Sequence, residues 1–301
     1  MTVDVEVRQL RLSYGRTVAL DDLSLSLPGG RVYGLLGRNG AGKTSLLSVL
    51  AGFRRASAGE VLVSGEPVFE NSRITRQVCL IRESGDVGDG DDRVKETLDI
   101  ARHLRPSWDA EYARRLVDRF GVPLDRKVKD LSRGQRSALG IVVGLASRTP
   151  LLMFDEAHLG LDAPSREAFQ EELIAEVGAS PRTVVVSTHL IEEQAPLFEE
   201  VLILDRGRLV VQEETDTLLA RGTTVTGHAA AVETFTAGMT TLGERRLGRT
   251  VEVTVFGDLD DADRVRAGQA GLDLTPMALQ DLFIHLTDPD VHRTDPDGGP
   301  R

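Results

Sequence analysis

Apolar residues alternate with polar ones through the opening of the chain and then gather into short unbroken runs. Val3 to Leu12 and Val18 to Leu27 alternate around the turn Ser13-Tyr14-Gly15-Arg16, which predicts two short paired strands. Pro28-Gly29-Gly30 is turn chemistry, and Arg31 to Leu36 reads as an apolar strand. A glycine-rich loop follows, then a helical pattern from Thr44 to Leu50. Strand signals return at Glu60–Val63, Val78–Ile81, Leu151–Phe154, Thr183–Ser187 and Val201–Leu204. Several are continuous apolar runs, the pattern of strands buried on both faces in a mostly parallel sheet.

Between Arg93 and Ser147 the period becomes helical. Val94, Leu98, Ala101 and Leu104 recur at helical spacing, followed by Tyr112, Leu116 and Phe120. This block interrupts the alternation of strand and helix and reads as a helical subdomain over residues 93–147. The rhythm changes again near Arg221. Val251, Val253 and Val255 form one face of a strand, and Leu279 to Leu286 reads as a short helix. The pattern therefore predicts an α/β core over residues 1–220 and a small α+β accessory domain over 221–286. From 287 onward Asp, Pro and Gly dominate, which predicts a disordered tail. No internal repeat is visible.

Composition narrows the class. The chain has 301 residues, 41% hydrophobic and 28% charged, enough for two domains with real cores and far from the bias of a disordered chain. Acidic residues outnumber basic ones 47 to 36, and the net charge of -11 repels phosphate backbones, so a nucleic-acid partner is not expected. The longest apolar run, Ala138 to Ala146, is far shorter than the roughly 18–20 residues of a membrane span. The N-terminus carries acidic residues and lacks signal-peptide character. A single cysteine, Cys79, cannot form an internal disulfide, which points to a reducing, cytoplasmic setting. Lysine is scarce. It occurs at Lys43, Lys95, Lys127 and Lys129, and the other 32 basic residues are arginine. Asparagine occurs only at Asn39 and Asn71.

One scarce lysine and one scarce asparagine share a motif. Gly37-Arg38-Asn39-Gly40-Ala41-Gly42-Lys43-Thr44 matches G-x-x-x-x-G-K-[ST] between a predicted strand and a predicted helix. Glycines let backbone N–H groups converge on an anion, and the following helix turns its positive end to the same point. In such a loop Lys43 reaches the β- and γ-phosphates and the Thr44 hydroxyl ligates Mg²⁺. Kinases, GTPases and several ATPase classes share this loop. No Asn-Lys-x-Asp sequence is present, so guanine recognition of that kind is excluded.

A second constellation lies downstream. Leu151 to Phe154 is an apolar strand that ends in Asp155 and Glu156, able to place one carboxylate at a metal and the other at a water aligned for in-line attack. It follows Leu131-Ser132-Arg133-Gly134-Gln135. In this order the motifs strongly resemble the nucleotide-binding subunit of ATP-binding-cassette (ABC) transporters, over about Val3 to Leu219. LSRGQ resembles the family's signature LSGGQ. Phe154-Asp155-Glu156 resembles Walker B with the catalytic glutamate, and Gly160-Leu161-Asp162 resembles the D-loop. His189 falls at the switch histidine, and Tyr14 matches the aromatic that stacks on adenine.

The resemblance implies a P-loop NTPase core, a mixed sheet with an antiparallel β edge and a helical subdomain, that binds ATP and Mg²⁺. It assigns Glu156 and His189 to catalysis, and Thr44, Asp155 and Glu83 to the metal. It assigns Tyr14, residues 37–44, Ser132, Gly134, Gln135 and Asp162 to nucleotide. The signature would close on the ATP of a second ATP-binding subunit, identical or closely related. Ser132 and Gly134 could equally serve as a helix cap. Two positions depart from the family pattern: Glu83 stands where a glutamine is usual, either at the metal or merely solvated, and Arg133 replaces a glycine. Lacking a span, the chain would need a separate permease and would sit on the cytoplasmic face of the membrane. Met277 to Phe283 resembles the closing helix of appendages on bacterial exporters of drugs, antibiotics or lipids. A non-transport ATPase acting on ribosomes or DNA, and an ATP-driven sensor, remain as alternatives.

Overall fold

The computed structural model describes residues 2–85 and 87–287. The predicted tail therefore falls, beyond Thr287, outside the described residues. The chain divides into two compact units. One holds residues 2–190 with Pro196–Gln212, and the other holds Ile191–Ala195 with the residues from Glu213 onward.

The first unit opens with β1 (Val5–Tyr14), β2 (Thr17–Leu27) and β3 (Val32–Gly37), followed by α1 (Lys43–Leu50). Then come β4 (Ala58–Val63), β5 (Glu66–Pro67), α2 (Ser72–Thr75) and β6 (Val78–Arg82). Three helices follow: α3 (Val94–Leu104), α4 (Ala110–Arg119) and α5 (Arg133–Ala146). The rest of the unit is built from β7 (Leu151–Asp155), α6 (Ala163–Ala179) and β8 (Thr183–Ser187). The short α7 (Ile191–Gln194) belongs to the second unit, after which β9 (Glu200–Asp205) and all but the last two residues of β10 (Arg208–Glu214) return to the first.

Two sheets result. The alternating strands form an antiparallel sheet in the order β2-β1-β4-β5, and the unbroken apolar runs form a six-stranded sheet in the order β10-β9-β3-β8-β7-β6. Within the latter β3, β6, β7, β8 and β9 pair in parallel. Every residue of β3, β7 and β8 is buried, as continuous apolar runs require when helices cover a parallel sheet. The alternating antiparallel strands expected from the sequence form the first of these sheets, and the apolar runs form the second.

Periodicity misplaced one helical seam and missed one helix. In α3 the buried residues are Val94, Thr97 and Ala101, whereas Leu104 is 67% exposed. Leu98 is only partly buried, so the buried face runs through Val94, Thr97 and Ala101. Helix α6 shows no apolar stripe because half of its buried residues are acidic: Phe169, Leu173, Glu172 and Glu176. Glu172 accepts from the Tyr112 hydroxyl at 3.0 Å and pairs with Arg119, and Glu176 pairs with Arg148 and Arg182. Phe169 meets Phe154 of β7 edge-on, with ring centroids 5.0 Å apart. Buried carboxylates with charged partners read as surface residues in a pattern based on hydropathy alone.

The second unit continues with α8 (Thr215–Arg221), β11 (Gly222–His228), α9 (Ala229–Thr236), β12 (Thr241–Leu247) and β13 (Thr250–Phe256). It ends with α10 (Asp261–Gln269), β14 (Asp273–Pro276) and α11 (Leu279–Leu286). Its sheet is antiparallel, ordered β12-β13-β11-β14. Val251, Val253 and Val255 bury one face of β13 against Val225, Val232, Phe235, Ala267 and Leu272.

Candidate active site

The ends of the parallel strands decide where the polar residues meet. In the ladder, Arg82 pairs with Asp155, Asp155 with Ser187, and Leu35 with Ser187. The residues that follow β6, β7, β8 and β3 therefore emerge side by side: Glu83, Glu156, Thr188-His189 and the loop 37–44. Ligands of open α/β sheets bind at this carboxyl edge.

The loop wraps a cavity of about 510 Å³ lined by Tyr14, residues 17–19, residues 38–45, Glu83, Asp155 and Glu156. Gly42 has φ +107°, and a Cβ there would lie 2.8 Å from the Ala19 carbonyl oxygen, so the turn into α1 requires glycine. Lys43 opens α1 and is buried. Its Nζ donates to the Gly37 carbonyl at 2.7 Å and lies 3.4 Å from Glu156 Oε1. Tyr14 is 42% exposed at the hairpin end, with its hydroxyl 3.4 Å from Ser45 Oγ and the Arg54 guanidinium 5.5 Å from its ring centre.

Glu156 occupies left-handed backbone, φ +53°, which is uncommon for a residue with a Cβ. Its N–H donates to the Ser187 carbonyl at 3.1 Å, and its Oε2 lies 3.1 Å from His189 Nδ1. Asp155 is buried, and that burial raises its pKa, with the Thr44 and Ser187 hydroxyls acting in the opposite sense. Its Oδ1 is buried without a hydrogen-bond partner. An orphaned carboxylate oxygen beside a hydroxyl is the donor chemistry of Mg²⁺. Among the described residues no cluster of three or more His, Cys, Asp or Glu could hold a metal. The Asp155 carboxylate and the Thr44 hydroxyl could therefore supply only part of an ion's shell.

Of the residues singled out in the sequence, Tyr14, 38–44, Glu83, Asp155 and Glu156 share this cavity, and His189 reaches it through Glu156. Gly37 joins it through the bond from Lys43. Ser132, Gly134, Gln135 and Asp162 do not line it. Ser132 and Gln135 form a reciprocal cap on α5, Ser132 Oγ accepting from Gln135 N–H at 3.2 Å and Gln135 Oε1 from Ser132 N–H at 3.1 Å. Asp162 caps α6, accepting from the Ser165 N–H at 3.0 Å, and hydrogen bonds from the Ser165 hydroxyl and then its N–H lower the Asp162 pKa. Glu83 pairs with Arg133.

Sequence reasoning missed His158. It is fully buried, its Nε2 is 2.9 Å from Thr188 Oγ1, and its ring is nearly parallel to Phe169. Burial pushes its pKa down to about 4, with Arg166 and His189 adding to the effect. A histidine beside two motif carboxylates was the available signal.

Comparison with known proteins gives a consistent picture. The ABC transporter family profile matches residues 20–158. The Nod factor export ATP-binding protein I of Cupriavidus pinatubonensis is 31% identical over 301 residues, covering 95% of this chain and 91% of the relative. The daunorubicin/doxorubicin resistance ATP-binding protein of Streptomyces peucetius is 30% identical, covering 85% and 78%. A solved ATP-binding subunit of an ABC transporter superposes with a TM-score of 0.65 at 25% identity, covering 71% of this chain and 91% of its own. The dimeric, post-hydrolysis cassette MJ0796 bound to ADP and Pi shares the fold with a TM-score of 0.63, at 19% identity and with coverage of 70% and 98%. The α/β architecture, the loop at the carboxyl edge of its sheet and a relative 31% identical over 91% of its own length agree, and the chain belongs to the ATP-binding ATPase subunits of ABC transporters.

Proposed function

We propose that this chain hydrolyses ATP to drive a separately encoded permease that exports a drug-like, antibiotic or lipid-like molecule, docked on the cytoplasmic face of the membrane. Glu156 carries the chemical part of this reading. Its carboxylate bridges Lys43 at 3.4 Å and His189 at 3.1 Å beside the phosphate loop. Arriving phosphates would take Lys43 for themselves and leave the Glu156 carboxylate free to orient the attacking water and accept its proton. His189 then contacts the terminal phosphate, the N–H groups of the loop cradle the phosphates, and Tyr14 stacks on adenine.

Thr44 and Asp155 would hold Mg²⁺, with Glu83 at its margin. When bound, the ion supplies positive charge to the phosphate oxygens. Ser132, Gly134, Gln135 and Asp162 act across a dimer interface on the partner's ATP, a reading supported by the dimeric cassette that shares this fold. Their caps are compatible with it, because a capped helix N-terminus is also an anion site.

Export is supported by the relatives' own names and by the extent of likeness: the Nod factor and daunorubicin/doxorubicin relatives align over 95% and 85% of the chain, beyond the first unit. Among the described residues no helix is long and apolar enough to cross a membrane, so a path through the bilayer calls for a partner. Glu156→Gln should retain ATP and lose at least about a hundredfold in phosphate release. Turnover near wild type would remove Glu156 from the mechanism. Purified with ATP from detergent-solubilised membranes, the same variant should bring down a multispanning protein in equimolar amount. Recovery with ribosomes instead would overturn the transport reading.

A further inference from the structure

The two departures from the family pattern, Glu83 and Arg133, lie 50 positions apart and carry opposite charges. In the fold they meet: Arg133 Nη2 donates to Glu83 Oε1. The backbone brings them together. Gly85 has φ +63°, and a Cβ there would lie 2.5 Å from the Arg136 carbonyl oxygen, so the loop leaving β6 rests on the first turn of α5. No bulkier residue lets that loop approach as closely.

The cavity explains why such a pair is useful. Arg38 and Lys43 line it together with Glu83, Asp155 and Glu156, so carboxylates outnumber cations before any nucleotide arrives. Lys43 is already engaged by Glu156. A family glutamine at position 83 would be neutral, whereas Glu83 adds a negative charge to a cavity already lined by Asp155 and Glu156. As an exposed ion pair, Glu83–Arg133 contributes little to stability.

We propose that Arg133 is a specificity-determining positioning residue: by neutralising Glu83 it allows a terminal phosphate to enter, and so sets the preference of this chain for ATP over ADP. The proposal rests on the nucleotide reading above. It also explains why one chain carries both substitutions: each charge compensates the other.

Calorimetric titration of the full chain with ATP and with ADP, magnesium chelated to prevent turnover, tests it. Arg133→Gly should weaken ATP binding about tenfold more than ADP binding, the scale of one uncompensated charge acting across a partly solvated site. Adding Glu83→Gln to that variant should restore the wild-type ATP/ADP ratio. Equal loss for both nucleotides, no loss for either, or a deficit that persists in the double variant overturns the proposal. If the wild-type chain binds neither nucleotide, the nucleotide reading itself fails. ADP binding retained in every variant separates that failure from the failure of the charge pair.

Discussion

Protonation of His158 offers a quantitative check on how the region behind His189 is held. The imidazole is buried, its Nε2 is 2.9 Å from Thr188 Oγ1, and the same hydroxyl oxygen accepts from the Leu190 N–H at 2.9 Å. Thr188 is therefore tethered on both sides of the turn that presents His189. Burial holds the His158 pKa near 4, against an ordinary value of 6.5. The folded state keeps the ring neutral, whereas the unfolded chain takes up a proton first as pH falls. The stability this group confers is complete above about pH 6.5 and is lost progressively as pH falls toward 4. At about 1.36 kcal/mol per unit, the loss approaches about 3 kcal/mol by pH 4 and is about 1.4 kcal/mol at pH 5.5.

Urea unfolding read from Trp108, the single tryptophan and part of the first unit, measures this at about pH 8 and pH 5.5. His158→Gln is the control, because its amide can still reach Thr188 and does not titrate in this range. Wild type should lose about 1.4 kcal/mol more than the variant on acidification. Parallel pH profiles for the two proteins would refute the assignment of a neutral buried imidazole.

Glu176→Ala removes the carboxylate shared by Arg148 and Arg182, and Arg182 is only 3% exposed. Stranding that charge should cost about 3–5 kcal/mol, visible as a lowered unfolding midpoint, and a cost below about 1 kcal/mol would show that water replaces the carboxylate freely. Tyr14→Ala should weaken ATP binding about tenfold while Tyr14→Phe stays near wild type, because stacking needs the ring and the hydroxyl only approaches Ser45 at 3.4 Å. A loss as large for Phe as for Ala, measured by calorimetry, would remove stacking from the account.

Local chemistry made much of the site legible. The phosphate loop is contiguous, and its glycines and Lys43 are required by backbone geometry and charge within a single turn. Asp155 and Glu156 were legible because an unbroken apolar run must be a buried strand, and a buried strand that ends in carboxylates delivers them at the sheet edge. Val251, Val253 and Val255 were equally plain, since alternation maps directly onto one face of a strand. The appendage was harder to delimit. The second unit resumes at Glu213 and also takes up Ile191–Ala195, although Pro196–Gln212 between them pack with the first unit.

What remained hidden depends on partners distant in the chain. Glu172 and Glu176 look like surface positions until Tyr112, Arg119, Arg148 and Arg182 arrive from other elements to satisfy them. His158 has no meaning without Thr188 and Phe169 around it. Glu83 and Arg133 were visible as separate oddities, and only the packing of the β6 loop on α5 joins them. By itself the sequence determined the phosphate loop, the buried strands and the family, because those rest on short-range backbone geometry and unbroken hydrophobic runs. The tertiary structure alone decided which buried charges are paired and which carboxylate faces which cation, because electrostatics act through space and the register of a parallel sheet sets that space.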